Sequence, residues 1–307
     1  MSLYAWVKPK GANGFGYGST AEEVTAGSSL AGKTMLVTGC NSGLGHETMR
    51  VLAMRGARVI GTARTADKAR TACASVTGDT MGLACELSEP SSVRACVAAV
   101  QEKGVRLDAI IANAGIMALP KLEQAFGYEL QFFTNHVGHF ILVTGLLDRL
   151  ADDGRVVILS SAAHRMAPPS GIDFDNLSGE KSYKDWTAYG QSKMANLLFA
   201  KELARKLAGT KKTANAVHPG VIRTNLARNM TNPIAGLAFA MAGPIALKSV
   251  PQGAATQCYV AASPGAATIS GEYFADCNVA KARADADDVA LAKKLWERSE
   301  EIVAALP

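Results

Sequence analysis

Short apolar runs alternate with longer amphipathic segments along most of the chain, from residue 33 to about residue 220. The runs are typical of buried β-strands, and the longer segments carry apolar residues at helical spacing. Strands that alternate with helices pair in parallel, because each helix returns the chain to the same edge of the sheet. The pattern therefore predicts an α/β fold with one doubly wound parallel sheet flanked by helices.

The N-terminal residues precede this pattern and are rich in glycine and polar residues. Within them, STAEEV (19–24) has the Ser/Thr and Glu spacing of a capped helix start. We interpret residues 1–30 as an arm that packs on a single domain, residues 31–307, because no repeat or low-complexity linker divides the rest. The predicted strands cover 33–39, 57–63, 80–87, 107–115, 154–161 and 213–220, and the predicted helices cover 46–56, 66–76, 91–104, 138–150 and 187–208.

Composition and charge narrow the class of protein. The 307 residues are 48% hydrophobic and 19% charged, as in folded globular chains. The formal net charge of +5 is scattered without a basic run, so we expect no nucleic-acid partner, while a small surplus suits an anionic cofactor. The longest apolar stretch, 233–247, is shorter than the ~20 residues of a membrane-spanning helix, so we expect no transmembrane segment.

The cysteines and the N-terminus suggest a cellular location. None of the six cysteines forms a CxxC pair, and no histidine cluster accompanies them, which argues against bound metal and against a disulfide framework. The N-terminus also lacks the charged and apolar regions of a secretory signal. Reduced thiols and the missing signal favour a cytoplasmic protein.

A glycine-rich loop joins the first predicted strand to the first helix. TGCNSGLG (38–45) places glycines at 39, 43 and 45, where backbone N–H groups can approach a pyrophosphate at a helix N-terminus. The alternative is an ordinary strand-to-helix turn. The position of the glycine-rich loop in the first β-α-β unit favours a Rossmann-type dinucleotide site over such a turn.

The end of the second predicted strand bears on the choice between NAD and NADP. An acidic residue here would bind the ribose diol of NAD, but VIGTARTADK has none between Gly61 and Ala66. Arg64 lies where a 2′-phosphate would be bound. The sequence therefore favours NADP, with a solvated arginine as the alternative.

Polar residues also follow later strands at the same predicted edge. Asn113, in IIANAGI, suits the floor beneath an adenosine ribose. Ser160 and Ser161, in VVILSSAAH, would face the same crevice, although a serine pair at a strand end is often a cap or turn. His136, His139 and His164 are near this crevice, and we interpret them as packing or hydrogen-bonding residues.

A tyrosine and a lysine lie four positions apart in TAYGQSKMANLLFA (187–200). Their spacing places Tyr189 and Lys193 on one helical face. A free tyrosine has a pKa of ~10, and a nearby ammonium group lowers the pKa of a phenol. We therefore expect Lys193 to lower the pKa of Tyr189 in a proton-transfer pair beside a hydride carrier.

These motifs together resemble those of the short-chain dehydrogenase/reductase family. TGCNSGLG, NAG, SS and YGQSK occur in the family's order and roughly at its spacing, over residues 30 to 280. The resemblance implies an oxidoreductase in which Tyr189 is the general acid or base, Lys193 assists it and binds the nicotinamide ribose, Ser161 holds the substrate oxygen and Asn135 anchors a water. It further implies cofactor contacts from Gly39, Asn41, Ser42, Gly43, Leu44, Gly45, Arg64, Glu86, Leu87, Asn113, Ala114, Gly115, Tyr189, Lys193, Pro219, Gly220, Val221 and Thr224.

The sequence departs from the common family pattern at several points. Glu86-Leu87 replaces the usual Asp-Leu, so we expect the adenine contact to shift toward backbone atoms, and Ala112 replaces the first Asn of NNAG. The segment between Ser161 and Tyr189 is longer than in many members. That segment, together with NHVGHF, SSAAH and ISGEYFADC, resembles the retinol-dehydrogenase-like branch, and the chain is similar to members without a membrane anchor.

The resemblance implies a substrate class and leaves two other functions open. Members of this branch act on apolar alcohols, ketones and aldehydes, and the 233–247 stretch lies where the family has its substrate lid, about 224–250; a packed helical hairpin is the alternative. Reduction of a conjugated C=C bond, as in protochlorophyllide reductases, is a second hypothesis, and a non-catalytic NADP-binding protein is a third. A homodimer through the helices around 125–150 and 187–208 is also implied, unless the N-terminal arm covers them.

Overall fold

The computed structural model describes residues 8–222 and 247–307, and one mixed eight-stranded sheet forms their centre. All neighbouring strands pair in parallel except the last pair, which is antiparallel. The strands of this sheet are β1 (Thr34–Thr38), β2 (Arg58–Ala63), β3 (Thr80–Ala84), β4 (Leu107–Ala112), β7 (Leu150–Leu159), β8 (Thr213–His218), β9 (Tyr273–Ala275) and β10 (Asn278–Val279), and a separate hairpin pairs β5 (Gln124–Ala125) with β6 (Tyr128–Glu129).

Helices cover both faces of the sheet, which confirms the predicted α/β Rossmann-type fold. One apolar core lies between the sheet and α4, α6, α7 and α9, and a second lies between the sheet and α1, α2, α3 and α8. The helices are α1 (Ala21–Val24), α2 (Gly43–Met54), α3 (Ala66–Ala74), α4 (Pro90–Glu102), α5 (Leu130–Phe132), α6 (Gly138–Gly145), α7 (Asp185–Lys206), α8 (Val250–Ala262) and α9 (Val289–Ala305).

The strand order places a crevice beside the centre of the sheet. The order is β10-β9-β8-β7-β4-β1-β2-β3, so the direction of winding reverses between β1 and β4. Ligands of open α/β sheets bind at such a reversal, outside the carboxyl ends of the strands. The glycine loop after β1 and the Asn113 segment after β4 therefore meet at the same edge.

The residues before β1 pack on one side of the sheet. The predicted helix start is present, with a capping box between Thr20 and Glu23. Gln252 in α8 donates to the Gly18 carbonyl at 3.1 Å, and Asn13 donates to the Cys277 carbonyl at 2.8 Å. The described part of the arm therefore contacts α8 and the β9–β10 turn. The division of the chain into an arm and one domain stays a prediction.

The C-terminal helix covers the opposite side of the molecule. Trp296 in α9 packs its ring 4.9 Å from that of Phe140 in α6 and 5.7 Å from that of Phe199 in α7, measured between centroids. His136 Nε2 lies 2.8 Å from the Ser299 hydroxyl of α9. The C-terminal helix thus covers part of the face of α6 and α7 for which the resemblance implies a homodimer contact.

Candidate active site

The glycine loop after β1 leaves room for a phosphate group against backbone atoms. Gly39 and Gly43 have φ angles of +70° and +55°, which few other residues adopt. A Cβ at Gly45 would lie 2.1 Å from the Gly39 carbonyl oxygen. Ser42 is the N-cap of α2, but its side chain makes no capping hydrogen bond. The first N–H groups of a twelve-residue helix therefore face the loop without a side-chain cap, which suits an anion.

Residues of the loop differ in exposure. Asn41 and Ser42 are exposed and Leu44 is half-buried, while Gly45 is buried against the loop backbone. The loop thus has exposed polar residues at Asn41 and Ser42 and a tightly packed backbone at Gly45. This arrangement fits the pyrophosphate of a dinucleotide.

Arg64 follows β2 and is exposed. It makes no hydrogen bond or ion pair with the residues that the structure describes. Thr65 caps α3 by accepting from the Lys68 amide at 3.3 Å, so the N-terminus of that helix lies beside Arg64. A guanidinium group and a helix N-terminus at one point form a suitable place for a 2′-phosphate.

The segment after β4 is held to the end of β1 by one hydroxyl group. Thr38 Oγ1 accepts hydrogen bonds from the backbone amides of Asn113 and Ala114, both at 2.9 Å. The Asn113 side chain donates to the Thr38 carbonyl at 2.8 Å and accepts from Gln257 at 3.1 Å. Asn113 therefore shapes the floor of the crevice, with its amide group engaged inside the protein, and Gly115 is the exposed part of the segment.

Glu86 and Leu87, for which we predicted an adenine contact, follow β3. The Glu86 carboxylate accepts from the Ser88 hydroxyl at 3.0 Å, so it is bound within its own turn. Leu87 is buried. The expected shift of the adenine contact toward backbone atoms stays a prediction, and these contacts agree with it.

Tyr189 and Lys193 lie on one face of α7, as the spacing predicts. Lys193 Nζ is 5.6 Å from the centroid of the Tyr189 ring and donates to the Leu159 carbonyl at 3.2 Å. The side chains are 9% and 4% exposed, respectively. A Cβ at Gly115 would lie 3.4 Å from Lys193 Nζ, so the ammonium group faces the crevice floor.

The expectation that Lys193 lowers the pKa of Tyr189 is wrong for this arrangement. Burial raises the pKa of Tyr189 to about 12, and a hydrogen bond with Ser161 only partly opposes it. Burial also lowers the pKa of Lys193 to about 8. Desolvation of the phenolate is the largest cause of the shift, because the ring is buried. At neutral pH the tyrosine is therefore a protonated acid.

The two serines after β7 have different environments, which corrects the prediction that both face the crevice. Ser160 is buried and donates to the Lys193 carbonyl at 2.7 Å, so it fixes α7 to the sheet. Ser161 is partly exposed, accepts from the Ala163 amide at 3.2 Å, and is the serine that acts on the pKa of Tyr189. A Cβ at Gly190 in α7 would lie 2.7 Å from the Ala163 carbonyl oxygen. This glycine therefore permits the close approach of α7 to the turn after Ser161.

Two histidines hold the turn that begins at Ser161. His164 Nδ1 lies 2.6 Å from the Ser161 carbonyl oxygen, and its Nε2 accepts from the Arg283 amide at 3.1 Å. His218 Nδ1 accepts from the Ala162 amide at 3.2 Å. Burial lowers the pKa of both imidazoles, to about 4 for His218. His164 is thus a hydrogen-bonding residue, as predicted, and it fixes the direction of Ser161.

Asn135 lies in a π-helical turn, Phe133–Val137, between α5 and α6. Its amide group donates to the Ile116 carbonyl and to the Ser192 hydroxyl, both at 2.9 Å, and accepts from the Ile116 amide at 2.8 Å. The side chain is completely buried. These contacts show that its amide holds the Ile116 segment against α7. The predicted role of anchoring a water stays a prediction.

The stretch after β8 is only partly described. Pro219 and Gly220 are half-buried, Gly220 has a φ of +95°, and Val221 is 50% exposed at the crevice end of β8. Thr224 and most of the 224–250 lid prediction lie outside the described residues. The nicotinamide-side contacts expected here therefore stay predictions.

Trp186 is a site residue that the sequence analysis missed. Its ring packs edge-on against that of Tyr189, with centroids 6.1 Å apart, and its side chain is partly exposed. Only its position three residues before the tyrosine on a helix could have indicated this. It places an apolar aromatic surface beside the acid.

A nearby cavity is separate from these groups. It has a volume of about 330 Å³ and lies between the segment after Ser161 and the other side of α7. Neither Ser161 nor Tyr189 lines it. Residues that line it include Glu129, Met166, Asp173, Tyr183, Thr187 and Gln191.

Comparison with known proteins identifies the class. A model of the short chain dehydrogenase family matches residues 33–174 and 175–234. The chain therefore belongs to the short-chain dehydrogenase/reductase family, and it is an oxidoreductase with a nicotinamide cofactor.

Individual relatives place it in the retinol-dehydrogenase-like branch. The chain is 41% identical to short-chain dehydrogenase TIC 32 A, chloroplastic, of Brassica napus, over the full length of both. It is 37% identical to human retinol dehydrogenase 14, covering 90% of this chain and 88% of the relative. An uncharacterised protein of Mycobacterium paratuberculosis has a similar structure, with a TM-score of 0.76 and 34% identity over 94% of this chain and 98% of that one. Pseudomonas aeruginosa RhlG, solved as an active-site complex with NADP, has a TM-score of 0.63 and 26% identity over 80% and 95%.

The expectation of a cytoplasmic location is contradicted by these relatives. The two Brassica napus proteins that match the whole chain are chloroplastic. Free buried thiols, which all six cysteines are, do not distinguish between reducing compartments. Within residues 8–222 and 247–307, no helix has the length and apolar character needed to cross a membrane.

Proposed function

We propose that this protein is an NADP-dependent reductase of apolar ketones or aldehydes, which oxidises the corresponding alcohols in the reverse direction. The observation that carries the proposal is the juxtaposition of Ser161 and Tyr189, since the serine lies close enough to oppose the burial-raised pKa of the phenol, with Lys193 beside the tyrosine ring. A carbonyl oxygen placed between two hydroxyl groups receives two hydrogen bonds. The same pair occurs where the crevice of the sheet opens.

Tyr189 acts as the general acid in this proposal. Because burial raises its pKa to about 12, the phenol is protonated at neutral pH and can donate its proton to the substrate oxygen. Ser161 donates a hydrogen bond to the same oxygen and stabilises the charge that develops there. The nicotinamide, when bound, supplies a hydride to the carbonyl carbon. The product is then an alcohol, and Tyr189 regains a proton from solvent.

Lys193 supports this step by electrostatics. Its ammonium group lies 5.6 Å from the centroid of the Tyr189 ring, so it would stabilise the phenolate that forms when the proton is transferred. The charge on an oxidised nicotinamide would add to the same effect. We infer that the tyrosine serves as a base for alcohol oxidation only after the oxidised cofactor binds.

The nucleotide half of the crevice supports the choice of NADP. The uncapped α2 N-terminus and the close contact at Gly45 fit a pyrophosphate. Arg64 is exposed beside the α3 N-terminus, and β2 ends without a carboxylate to bind a ribose diol. We assign the 2′-phosphate of NADP to Arg64.

The substrate side supports an apolar substrate. Trp186 presents its ring beside Tyr189, and Val221 presents an exposed aliphatic side chain after β8. Retinol dehydrogenases are among the relatives. A planar or extended apolar carbonyl compound fits these surfaces, since aromatic rings contribute large apolar contact areas.

We also propose that any self-association uses a surface other than the α6–α7 face. Trp296 and Ser299 of α9 occupy that face through contacts with Phe140, Phe199 and His136. A second copy would have to displace this helix. Cross-linking of the intact purified protein tests this. Any dimer should cross-link through other surfaces, and cross-links between two α6–α7 faces would contradict the proposal.

The experiment that tests the proposed function is NADPH consumption with a panel of carbonyl compounds. The panel contains retinal, a steroid ketone, a long-chain aldehyde and an α,β-unsaturated ketone, followed by product analysis. We expect alcohols from the apolar compounds and retention of the C=C bond in the enone. Saturation of that bond, or no NADPH consumption with any compound, overturns the proposal.

A further inference from the structure

A buried histidine lies between the cofactor floor and the catalytic helix. His139, in α6, is completely buried. Its Nε2 is 2.9 Å from Thr38 Oγ1, and its Nδ1 is 2.9 Å from the Asn135 carbonyl oxygen. One imidazole ring thus joins the end of β1 to the π-helical turn, two parts of the site that are far apart in the sequence.

The hydrogen bonds of Thr38 determine which nitrogen carries the proton. The Thr38 oxygen already accepts from the amides of Asn113 and Ala114, so its own proton is left to donate. His139 Nε2 must then accept, and the ring proton resides on Nδ1, which donates to the Asn135 carbonyl. Burial lowers the pKa of His139 to about 4, with the nearby Lys193 charge acting in the same direction, so the ring is neutral at pH 7.

A small shift of the turn that contains Asn135 would affect the position of the catalytic residues. The Gly138 amide bonds the Phe133 carbonyl, which is the i to i+5 pattern of a π-turn, and such turns are frequent at functional sites. The Asn135 amide holds Ile116 and Ser192, and Ser192 in turn donates to the Tyr189 carbonyl at 2.8 Å. Displacement of this turn would therefore move the catalytic tyrosine's helix relative to the crevice floor.

We propose that His139 is a positioning residue, which as the neutral Nδ1–H tautomer fixes the Asn135 turn to Thr38 and so aligns Tyr189 and Lys193 with the cofactor floor. The kinetic part of this inference rests on the proposed function. The tautomer does not, because it follows from the hydrogen bonds alone.

His136 provides a matched comparison in the same helical region. It is also buried, and burial lowers its pKa to about 3. Its Nε2 faces Ser299, whose hydroxyl donates to the Leu295 carbonyl at 2.7 Å, so His136 must carry its proton on Nε2. Its ring otherwise packs against Phe132, Phe140 and Phe199, away from the crevice.

The first test uses the cofactor-free protein at pH 7. Long-range ¹H–¹⁵N correlation of the imidazole rings, assigned with His139→Gln and His136→Gln, reports the tautomer of each histidine. We expect Nδ1–H for His139 and Nε2–H for His136. A charged His139, or an Nε2–H tautomer there, overturns the proposal whatever reaction the enzyme catalyses.

The second test separates the two contacts of the ring. The amide of Asn reaches about as far as Nδ1 and can still donate to the Asn135 carbonyl, whereas the amide of Gln reaches Nε2 and the Thr38 hydroxyl. We expect His139→Leu to lower kcat about 10-fold to 100-fold, with the Kd for NADPH little changed because Thr38 still holds Asn113 and Ala114. We expect His139→Asn to retain more kcat than His139→Gln.

A purely structural role predicts other results. Equal losses of kcat in His139→Leu and His136→Leu, in proportion to their losses in Tm, would overturn the positioning role. So would a Gln variant as active as the Asn variant or more so. If the Leu variant does not fold, the Asn and Gln variants decide. If the wild-type enzyme reduces no carbonyl compound, the proposed function fails, and the tautomer measurement still tests the placement of His139.

Discussion

The two halves of the crevice are built by different means. The nucleotide half is a short loop in which missing side chains matter most, since a Cβ at Gly45 would meet the Gly39 carbonyl at 2.1 Å. The catalytic half brings together Ser161, Asn135 and Tyr189 from separate segments, and buried hydrogen bonds join Asn135 through Ser192 to the Tyr189 backbone. The first half depends on backbone shape and the second on side-chain contacts.

Because of this difference, substitutions in the nucleotide half should weaken cofactor binding, and substitutions in the catalytic half should lower turnover. An added Cβ at Gly45 collides with the loop backbone and so displaces the amides that a phosphate would contact. A lost polar atom in the catalytic half leaves the cofactor bound and removes proton transfer. A substitution that affected both cofactor binding and turnover equally would contradict this division of the crevice.

The largest effect is expected for Tyr189→Phe, which removes the proton donor and keeps the ring. We expect kcat to fall about 1,000-fold or more, because general acid catalysis contributes up to about 10⁴-fold. The Kd for NADPH, followed by nicotinamide fluorescence, should change little. Near-normal turnover would show that Tyr189 is not the acid.

Gly45→Ala should weaken binding, since its Cβ would collide with backbone and the loop must shift. Overpacking by one methyl costs about 1–3 kcal/mol, so we expect the Kd for NADPH to rise about 10-fold to 100-fold. Gly43→Ala is the control, because no atom lies within 4 Å of its Cβ position and only its φ of +55° is unfavourable. Equal effects of the two variants on Kd would contradict the close-contact argument.

Arg64→Ala should remove the preference for NADPH over NADH. Loss of hydrogen bonds from a charged group to a phosphate is worth about 1.5–3 kcal/mol, or about 10-fold to 100-fold in the Kd for NADPH. The Kd for NADH should be unchanged. Arg70→Ala, which removes an exposed arginine paired with Asp67 on α3, is the matched control and should alter neither Kd.

Trp186→Ala should affect the substrate and not the cofactor. It removes an aromatic face beside Tyr189, so we expect KM for bulky apolar carbonyl compounds to rise about 10-fold, on the scale of a buried aromatic contact. A small aldehyde should be reduced at nearly the wild-type kcat. An equal loss with both substrates would remove Trp186 from the substrate surface.

We expect the catalytic efficiency of the enzyme to fall modestly at alkaline pH. Burial lowers the pKa of Lys193 to about 8, so its charge is lost as pH rises through that value, while Tyr189 stays protonated to about 12. We expect kcat/KM for NADPH, which reports the free enzyme, to fall above pH 8. In Lys193→Met this fall should be absent, and its persistence there would assign it to another group.

Much of the fold was predictable because the pattern of apolar residues is strong and local. The first six strands of the parallel sheet were predicted with ends only a few residues from those observed, since each is a buried apolar run between turns. β9 and β10 were missed because three and two residues are too short to show a pattern. Their place beside β8 depends on contacts made after the chain has folded.

The candidate site was predictable in its residues and less so in its electrostatics. The i, i+4 spacing placed Tyr189 and Lys193 on one helical face, which the structure has. The direction of the Tyr189 pKa shift was wrong, because the depth of burial is a property of packing and not of spacing. The different environments of Ser160 and Ser161 likewise arise from which one meets α7.

The measurement that tests the central claim most directly is deuterium transfer from NADPH. NADPH labelled at C4 of the nicotinamide, on one face and then on the other, is incubated with the enzyme and an apolar α,β-unsaturated ketone. The account predicts deuterium on the carbinol carbon of an unsaturated alcohol, from one labelled form, and its loss in Tyr189→Phe. Deuterium at the β-carbon of a saturated ketone, or no transfer from either form, would contradict it.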